Sequence, residues 1–357
     1  MIKVLVVDDS AFVRSAISRM LENDPEIKVV GTARDGLDGL EKTAALNPDV
    51  ITLDVEMPRL DGLGFLEKLM KTAPKPVLMV SSLTKEGADA TLKALELGAL
   101  DFIPKFHEGS SSLDALAVEI KAKIKAVSRR GRFMRLGAPT NPLLAASQPP
   151  KRTVAGTATP VKRSGHPTRE FVAIGVSTGG PPAVQKVLSA LPADFPACIF
   201  IAQHMPATFT NAFATRLDKV CQISVSEAQT GDKIAAGHAY VCPGGKHIRV
   251  DMRGPLPCIN ITEDPQSALY KPSATVLMES LAQSLGRRAV GVTMTGMGSD
   301  GAEGTKVLKQ KGGYIIAQSE ASCVVYGMPK AVVDAGLADE IVDLDLIADA
   351  IQTALYC

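Results

Sequence analysis

Three residues in the second half of the chain, Ser177, His204 and Asp300, are of the types that together hydrolyse esters and amides. Each of them comes shortly after an apolar run of strand length. In such a set the serine attacks a carbonyl, the histidine takes the proton of the serine, and the aspartate orients the imidazole ring. These residue types therefore raise the hypothesis of a serine hydrolase.

Ser177 stands in the turn Gly175-Val176-Ser177-Thr178-Gly179, at the end of an apolar run that begins at Phe171. Pro181 and Pro182 follow, and proline is tolerated in the first turn of a helix. The pattern predicts a strand, a tight turn and a helix, which exposes a serine hydroxyl at the end of a sheet. The same pattern is also typical of a glycine-rich loop that cradles a phosphate or only reverses the chain.

His204 follows a predicted strand, 198–202, that lies one right-handed β–α–β step after Ser177, so the two are expected at one edge of neighbouring parallel strands. A buried strand over 289–293 leads to the glycine-rich turn that contains Asp300. Taken alone, His204 also fits a surface loop, and Asp300 also fits the N-cap of a helix that begins near residue 302. The order serine, histidine, aspartate differs from that of α/β-hydrolases, so the G-x-S-x-G match does not assign that fold.

Two further histidines are weaker candidates for this chemistry. His238 and His247 flank residues 240–246, which have the pattern of a hairpin. No turn with a nucleophile adjoins either of them, so we assign them no chemical role.

Residues 1–127 alternate short apolar runs with segments of helical spacing, which predicts a parallel sheet covered by helices on both faces. The predicted strands are 4–7, 29–32, 50–53, 77–80 and 101–103, and the predicted helices are 12–21, 37–46, 62–71, 88–97 and 113–127.

Polar residues follow four of these strands: Asp8 and Asp9, Asp54, Ser81, and Lys105. In doubly wound sheets, ligands collect at the carboxyl ends of the strands. Three carboxylates at one edge repel one another, which predicts a bound divalent cation, here Mg²⁺. A carboxylate beside a metal ion, a hydroxyl and a lysine can accept a phosphoryl group as an aspartyl phosphate.

The composition is that of an ordinary globular protein, and 357 residues predict two or three domains. The net charge of +1 gives no global attraction to nucleic acid or to a membrane surface. No apolar run approaches the roughly 20 residues of a spanning helix, and no signal-peptide pattern is seen, so we expect a cytoplasmic protein without direct membrane insertion. Six scattered cysteines without C-x-x-C spacing are typical of reduced thiols.

Residues 128–169 contain no acidic residue and are rich in Arg, Ala, Pro, Thr and Ser, which predicts a flexible basic linker. The alternative is a basic arm that binds nucleic acid. However, the segment lacks a pattern of interleaved aromatic residues, and no helix-turn-helix pattern follows. We therefore predict a first domain over 1–127, a linker over 128–169 and a second domain over 170–357, with a doubly wound, mostly parallel α/β sheet in each domain.

The first domain resembles a response-regulator receiver domain with the flavodoxin-like fold. The residues that carry the resemblance are 6–10 (VVDDS), 54–62 (DVEMPRLDG), 79–82 (MVSS) and 102–105 (FIPK). The resemblance implies that a histidine kinase phosphorylates Asp54 and that Mg²⁺ is held by Asp8, Asp9 and the backbone carbonyl of Glu56. It also implies that Ser81 and Lys105 engage the phosphoryl oxygens and that Phe102 changes rotamer on activation.

The second domain resembles the chemotaxis protein-glutamate methylesterases, with a Rossmann-like fold. The motifs are 177–180 (STGG), 203–206 (QHMP), 243–247 (PGGKH), 271–273 (KPS), 295–301 (TGMGSDG) and 326–329 (YGMP). The resemblance implies hydrolysis of γ-glutamyl methyl esters on the cytoplasmic domains of chemoreceptors, with release of methanol, and deamidation of certain receptor glutamines. It also implies that Met297 lines the oxyanion hole and that Thr178 positions His204. One departure is Ser299, where family members often carry Asn.

The two resemblances together predict an enzyme activated by phosphorylation, with a chemotaxis histidine kinase as phosphodonor and methylated chemoreceptors as substrate. They imply no nucleic-acid partner and no cofactor for the esterase reaction. Three other interpretations stay open: a DNA-binding response regulator, a receiver-controlled esterase of soluble substrates, and a protein that only drains phosphoryl groups from the kinase. Loss of Ser177 would abolish activity in the second case and leave the first and third unaffected.

Overall fold

The computed structural model describes residues 1–105, 113–135, 166–254 and 256–357. It contains a five-stranded parallel sheet in the first half of the chain and a seven-stranded parallel sheet in the second half. Both sheets are covered by helices, so the predicted fold class of two doubly wound α/β domains is confirmed.

The first sheet has the strand order β2-β1-β3-β4-β5. Its strands are β1 (Ile2–Val7), β2 (Ile27–Ala33), β3 (Val50–Asp54), β4 (Val77–Ser81) and β5 (Asp101–Pro104). Its helices are α1 (Ala11–Glu22), α2 (Gly36–Leu46), α3 (Gly62–Thr72), α4 (Lys85–Glu96) and α5 (Leu113–Arg135). Leu5 and Val7 pack with α3 and α4, whereas Val4 and Val6 pack with α1 and α5 on the other face. Because both faces are buried, the strands are nearly continuous apolar runs.

The second domain adds nine strands and six helices among the described residues. The strands are β6 (Phe171–Val176), β7 (Cys198–Gln203), β8 (Ser224–Glu227), β9 (His238–Val241), β10 (His247–Arg253), β11 (Leu256–Thr262), β12 (Ala289–Thr293), β13 (Tyr314–Gln318) and β14 (Glu340–Val342). The helices are α6 (Gly180–Ser189), α7 (Ala207–Val220), α8 (Ala274–Ser284), α9 (Ala302–Gln310), α10 (Met328–Asp334) and α11 (Ile347–Ala354). Short 3₁₀ turns lie at Gly286–Arg288, Glu320–Ser322 and Leu344–Leu346.

The order of the second sheet, β14-β13-β12-β6-β7-β9-β8, places β6 at its centre. Its neighbours are β7, the next strand along the chain, and β12, which comes more than 110 residues later. All three strands run parallel, so their carboxyl ends meet at one edge of the sheet. This is the kind of switch point in strand order at which doubly wound sheets bind ligands.

Helix α5 is longer than the sequence pattern indicates. It continues past Val127 to Arg135, so the first eight residues of the predicted linker are helical. No proline occurs between Val127 and Arg135, and Arg and Met are good helix formers, which explains the extension. The rest of the predicted linker up to residue 165 lies outside the described residues. At 23 residues α5 is long enough to span a bilayer, but neither it nor any other described helix is sufficiently apolar to do so.

The predicted hairpin over residues 240–246 is wrong. Strand β9 belongs to the seven-stranded sheet, where it pairs in parallel with β7 and β8. The chain then leaves the sheet, and β10 pairs with β11 in a separate antiparallel ribbon. The physical reason is that β9 already pairs with β7 and β8 in the core of the sheet. Pro243 and the two glycines after it therefore end β9 without forming a tight turn that would pair it with β10.

The two domains contact each other through α4 and α7. The ring of Phe102, at the end of the first sheet, stacks on Phe209 in the first turn of α7, with centroids 4.6 Å apart. The guanidinium of Arg216 pairs with the carboxylate of Glu96 across the same contact. One buried apolar cluster is continuous across both sheets. The receiver-like domain therefore packs directly against the helix that follows His204.

Candidate active site

Ser177, His204 and Asp300 lie together at the carboxyl edge of the second sheet. They follow β6, β7 and β12, which are adjacent in the sheet. The Oγ atom of Ser177 lies 3.1 Å from Nδ1 of His204, and Nε2 of His204 lies 2.8 Å from Oδ2 of Asp300. The structure thus brings the three predicted side chains into one hydrogen-bonded chain, and their catalytic role stays a prediction.

These two contacts define which nitrogen of His204 carries the proton. An ionised carboxylate can only accept hydrogen bonds, so the Nε2–H group of His204 donates to Asp300. In the neutral ring, Nδ1 is then the free acceptor for the hydroxyl of Ser177. The side chains of His204 and Asp300 are only 10% and 7% exposed, so water screens this chain of bonds little. The arrangement can take the proton of Ser177 when its oxygen attacks.

The turn that carries Ser177 is fixed by backbone hydrogen bonds and by a close approach of two chain segments. The N–H of Ser177 donates to the carbonyl of Thr295 at 3.0 Å, and the N–H of Gly180 donates to the carbonyl of Ser177 at 2.8 Å. A Cβ atom at Gly296 would lie 2.8 Å from Cβ of Ser177, so only glycine fits there. Gly179 has a φ of +74°, the left-handed region that favours glycine. The glycines of both motifs therefore hold the nucleophile in place.

Gln203, a buried residue at the end of β7, connects the nucleophile and the base. Its Nε2 group donates to the carbonyl of Ser177 at 3.1 Å and to the carbonyl of His204 at 3.0 Å. One amide group thus holds the backbone of both reacting residues. The sequence pattern does not by itself predict this role of Gln203, although a polar residue at the end of an apolar strand is a signal that indicates it.

Asp300 is held by the N-terminus of α8. Its carboxylate accepts hydrogen bonds from the Ser273 hydroxyl at 2.8 Å, from the Ala274 N–H at 2.7 Å and from the Thr275 N–H at 3.1 Å. Burial alone would raise the pKa of Asp300, but the bonds from His204, Ser273 and Ala274 outweigh it and hold the pKa well below its usual range. Asp300 is therefore a stable anion beside His204.

The alternative that Asp300 caps the following helix is wrong. The N-cap of α9 is Gly301, and the helix N-terminus that Asp300 satisfies belongs to α8 instead. Ser273, the N-cap of α8, was not singled out as a partner of Asp300. A serine directly before a helical run, as in the 271–273 motif, indicates an N-cap. No local pattern, however, indicates that this N-cap contacts residue 300.

Thr178 and Met297, predicted as supporting residues, lie beside the triad. Thr178 is buried, and its carbonyl accepts a hydrogen bond from the Thr295 hydroxyl at 2.9 Å. That contact joins two loops of the site and does not involve His204. The role of Thr178 in positioning His204 therefore stays a prediction. Met297 is half-buried in the turn after β12, and its place in the oxyanion hole also stays a prediction. Ser299 is exposed.

The two weaker histidine candidates take structural roles. His238 stacks on Tyr240 and is hydrogen-bonded to Ser226, away from the triad. His247 is buried, and its Nδ1 accepts the N–H of Ser273 at 3.2 Å. Burial and the charge of Lys271 lower the pKa of His247. His247 therefore stabilises Ser273, which in turn binds Asp300. Its effect on the reacting atoms is indirect.

A second polar cluster lies at the carboxyl edge of the first sheet. Ligand atoms of Asp8, Asp9 and Asp54 all lie within 4.8 Å of one another. Lys105 Nζ lies 2.6 Å from Oδ2 of Asp54 and 3.4 Å from Oδ2 of Asp8. Apart from that ion pair, Oδ2 of Asp8 is buried without a hydrogen-bond partner among the described residues. Burial and the charge of Asp54 raise the pKa of Asp8 to about 6, so the cluster fits a site that a cation completes.

The other predicted receiver residues have contacts of their own. The hydroxyl of Ser81 donates to the Gly87 carbonyl of α4 at 3.1 Å, so it is turned toward that helix. Phe102 is buried and stacks on Phe209. Glu56 has an exposed side chain next to β3. The predicted roles of Ser81, Phe102 and the Glu56 carbonyl in phosphorylation and metal binding stay predictions.

The fold and the two strand edges define a class of protein: a candidate serine hydrolase joined to a domain with the acidic cluster of a phosphoacceptor. Comparison with known families agrees with both halves. Residues 172–351 match the family described as CheB methylesterase, and residues 4–116 match the response regulator receiver domain.

Relatives match over the full length of the chain. A protein-glutamate methylesterase/protein-glutamine glutaminase of Lawsonia intracellularis is 58% identical, and one of Nitratidesulfovibrio vulgaris is 61% identical, each with 100% of both chains covered. The crystal structure of the Thermotoga maritima CheB methylesterase catalytic domain is 32% identical with a TM-score of 0.51, covering 52% of this chain and 98% of that one. The chain therefore belongs to the CheB methylesterase family, in the form that begins with a receiver domain.

Proposed function

We propose that the protein hydrolyses γ-glutamyl methyl esters of chemoreceptors, releasing methanol, and that phosphorylation of Asp54 activates it. The observation that carries this proposal is the hydrogen-bonded chain from Ser177 through His204 to Asp300 at the switch point of the second sheet. The full-length relatives bear the names of enzymes for this reaction and for the deamidation of glutamine. Both reactions are acyl transfers at a γ-carbonyl, so one site serves both.

In the first step, Oγ of Ser177 attacks the ester carbonyl while Nδ1 of His204 takes its proton. The carbonyl oxygen becomes an oxyanion, which backbone N–H groups of the glycine-rich turns and the Met297 region stabilise. As the tetrahedral intermediate collapses, the bond to the methoxy group breaks and His204 returns the proton, so methanol leaves. Asp300 keeps the Nε2 proton in place throughout and stabilises the imidazolium.

In the second step, water replaces the serine as nucleophile. His204 Nδ1 takes a proton from the water, the new C–O bond forms, and the bond to Ser177 breaks as its oxygen regains the proton. The products are a free glutamate side chain and the original enzyme. With a glutamine substrate the leaving group of the first step is ammonia, and the second step is the same.

The receiver domain supports control of this site. Its Phe102 and Glu96 contact α7, which begins three residues after His204. On the other side, burial and the charges of Asp300 and of Glu119 on α5 raise the pKa of Tyr270, a neighbour of His204. We infer that the receiver restricts access to Ser177 through this contact with α7, and that phosphorylation of Asp54 weakens the contact.

Mg²⁺ would be held by Asp8, Asp9 and the carbonyl of Glu56. The cation would neutralise the repulsion between the carboxylates and the incoming phosphoryl group. On the protein side, Lys105 already pairs with both Asp54 and Asp8, so it is placed to hold a phosphoryl oxygen. A chemotaxis histidine kinase would supply the phosphoryl group in the cytoplasm, where the receptor domains that carry the substrate lie.

Methanol release from methylated receptor membranes, with and without acetyl phosphate as phosphodonor, tests the proposal. We expect release that depends on Ser177 and rises with the phosphodonor. Equally fast cleavage of soluble methyl esters would favour a small-molecule esterase. Salt-dependent binding to DNA without esterase activity would favour a DNA-binding regulator. Phosphorylation of Asp54 without any hydrolysis would leave only the phosphate-sink interpretation.

A fragment that starts at His166 tests inhibition by the receiver. Thr168 and Arg169 donate hydrogen bonds to the carbonyl of Leu355, so the fragment should include them. We expect the fragment to be more active than the unphosphorylated whole protein. Within the whole protein, Arg216→Ala should raise the unphosphorylated rate because it breaks the pair with Glu96. Lys306→Ala on α9, which removes a long exposed cation away from α4 and α7, serves as the control. An equally slow fragment would contradict inhibition by docking.

A further inference from the structure

The ring of Tyr270 lies flat against the imidazole of His204. The two ring centroids are 4.2 Å apart and the planes differ by 11°, a parallel stack. Tyr270 comes just before the segment 271–273, whose Ser273 binds Asp300. The base is therefore contacted in its plane by Ser177 and Asp300 and on one face by Tyr270.

The two hydrogen bonds of His204 demand an accurate ring orientation. They leave from opposite sides of the ring, so a rotation that improves one bond worsens the other. The torsion that sets this orientation has broad minima in histidine and is weakly restricted by the side chain itself. A flat ring on one face blocks tilting of the imidazole while leaving both nitrogens free to exchange protons. An aromatic face also attracts the imidazolium that forms during the reaction.

The aromatic ring, and not the hydroxyl, carries this contact. The Tyr270 hydroxyl forms no hydrogen bond with the described part of the chain, and it lies near Gly298, where an added Cβ atom would be 3.4 Å from the hydroxyl oxygen. The side chain is only partly buried, and its neighbour Leu269 is 85% exposed. The Tyr270 side chain is therefore not part of the buried core of the domain.

We propose that Tyr270 is a positioning residue for His204: its ring holds the imidazole in the orientation that bonds Ser177 and Asp300 at the same time. The proposal rests on the proposed function of the triad. It predicts that a planar side chain is required at position 270, and that the requirement concerns the rate of the chemical step and not substrate binding.

The test compares Tyr270→Phe with Tyr270→Leu in the full-length protein, with Leu269→Ala as the control on the same segment. Methanol release from methylated receptor membranes is measured with acetyl phosphate present, so that all variants are compared in the activated state. We expect Tyr270→Phe and Leu269→Ala to retain the rate of the wild type. Tyr270→Leu should lose on the order of 10- to 100-fold in kcat with little change in KM, the size typical of a misplaced catalytic group.

Imidazole nitrogen NMR of His204 gives a second readout that needs no substrate. We expect the wild type and Tyr270→Phe to show one tautomer, with the proton on Nε2, and Tyr270→Leu to show a mixture. If Tyr270→Leu fails to fold, Tyr270→Met replaces it as the non-planar variant. A wild-type kcat in the non-planar variant, or a rise in KM alone, or an unchanged tautomer, would overturn the positioning role. A wild-type protein without esterase activity would instead overturn the proposed function, and the NMR comparison would still decide the role of Tyr270.

Discussion

The two sheets both bring polar side chains together at the carboxyl ends of parallel strands, but the two edges have opposite electrostatics. At the first edge, burial and the neighbouring carboxylate raise the pKa of Asp8 to about 6, and burial raises the pKa of Asp54 as well. At the second edge, hydrogen bonds from His204, Ser273 and Ala274 hold the pKa of Asp300 well below its usual range despite burial. A buried carboxylate is thus destabilised in one domain and stabilised in the other.

The difference shows how similar sheets serve different chemistry. Asp300 finds its donors inside the protein, at the N-terminus of α8 and on His204, so its site is complete without a ligand. Asp8 and Asp54 share one lysine, Lys105, which leaves a net negative charge that an added cation would balance. The first edge is therefore suited to respond to the binding of a cation and a phosphoryl group. The second edge is suited to carry out the same reaction in every catalytic cycle.

The largest expected effect comes from Ser177→Ala. We expect kcat for methanol release to fall about 10⁶-fold, because the nucleophile is lost. Phosphorylation of Asp54 by acetyl phosphate should proceed as in the wild type, since the two edges belong to different sheets. Ser299→Ala, an exposed serine next to Asp300, is the control. Activity near that of the wild type in Ser177→Ala would refute the assignment of the nucleophile.

Asp300→Asn tests the stabilised carboxylate. Asn keeps the size of the side chain but removes the charge that holds the Nε2 proton of His204, so we expect a loss of roughly 10⁴-fold in kcat. The measurement is methanol release with the phosphodonor present. A loss below tenfold would mean that the hydrogen bond to His204 serves the fold and not the reaction.

Asp54→Asn tests the destabilised carboxylate. The variant should lose activation by acetyl phosphate, which we expect to lie within the 5- to 150-fold range of typical coupling between sites. Its rate without phosphodonor should equal that of the unphosphorylated wild type. Asp49→Asn, a carboxylate on the preceding loop that binds Lys3, is the control. Activation that persists in Asp54→Asn would place the phosphorylation site elsewhere.

Mg²⁺ should stabilise the first edge. A ligand that binds only the folded state adds about 2.7 kcal/mol at a concentration 100 times its Kd, so the melting temperature of the full-length protein should rise with MgCl₂ at pH 7.5. The rise should disappear in Asp8→Asn and persist in Asp24→Asn, whose carboxylate pairs with Lys125 away from the cluster. An equal rise in all three proteins would indicate a general salt effect.

The smallest effect concerns His247, behind Asp300. Because its folded-state pKa is lowered, the unfolded chain binds more protons below its ordinary pKa of about 6.5, and stability falls as the pH drops through that value. The free energy of urea unfolding, measured at pH 7.5 and 5.5, should therefore fall more in the wild type than in His247→Asn. An identical fall in both proteins would show that His247 stays uncharged in both states or titrates equally in both.

Much of the site could be predicted because its residues follow directly from local patterns. Apolar runs and helical spacing predict all five strands of the first sheet, but only β6, β7 and β12 of the second. The strands whose ends carry Ser177, His204, Asp300 and Asp54 are among them, so the chemistry at the strand ends followed from these residues. The family resemblance pointed to the same residues. Parallel strands explain this success, since their carboxyl ends must meet at one edge wherever they lie in the chain.

What the sequence by itself determined is therefore the kind of chemistry at each sheet edge. The tertiary structure alone decided which atoms meet: Nδ1 of His204 toward Ser177, the N-terminus of α8 around Asp300, the ring of Tyr270 on the imidazole. It also decided that Phe102 stacks on Phe209. These contacts join residues far apart in the chain, and each depends on how whole elements pack, which no local spacing of residue types encodes.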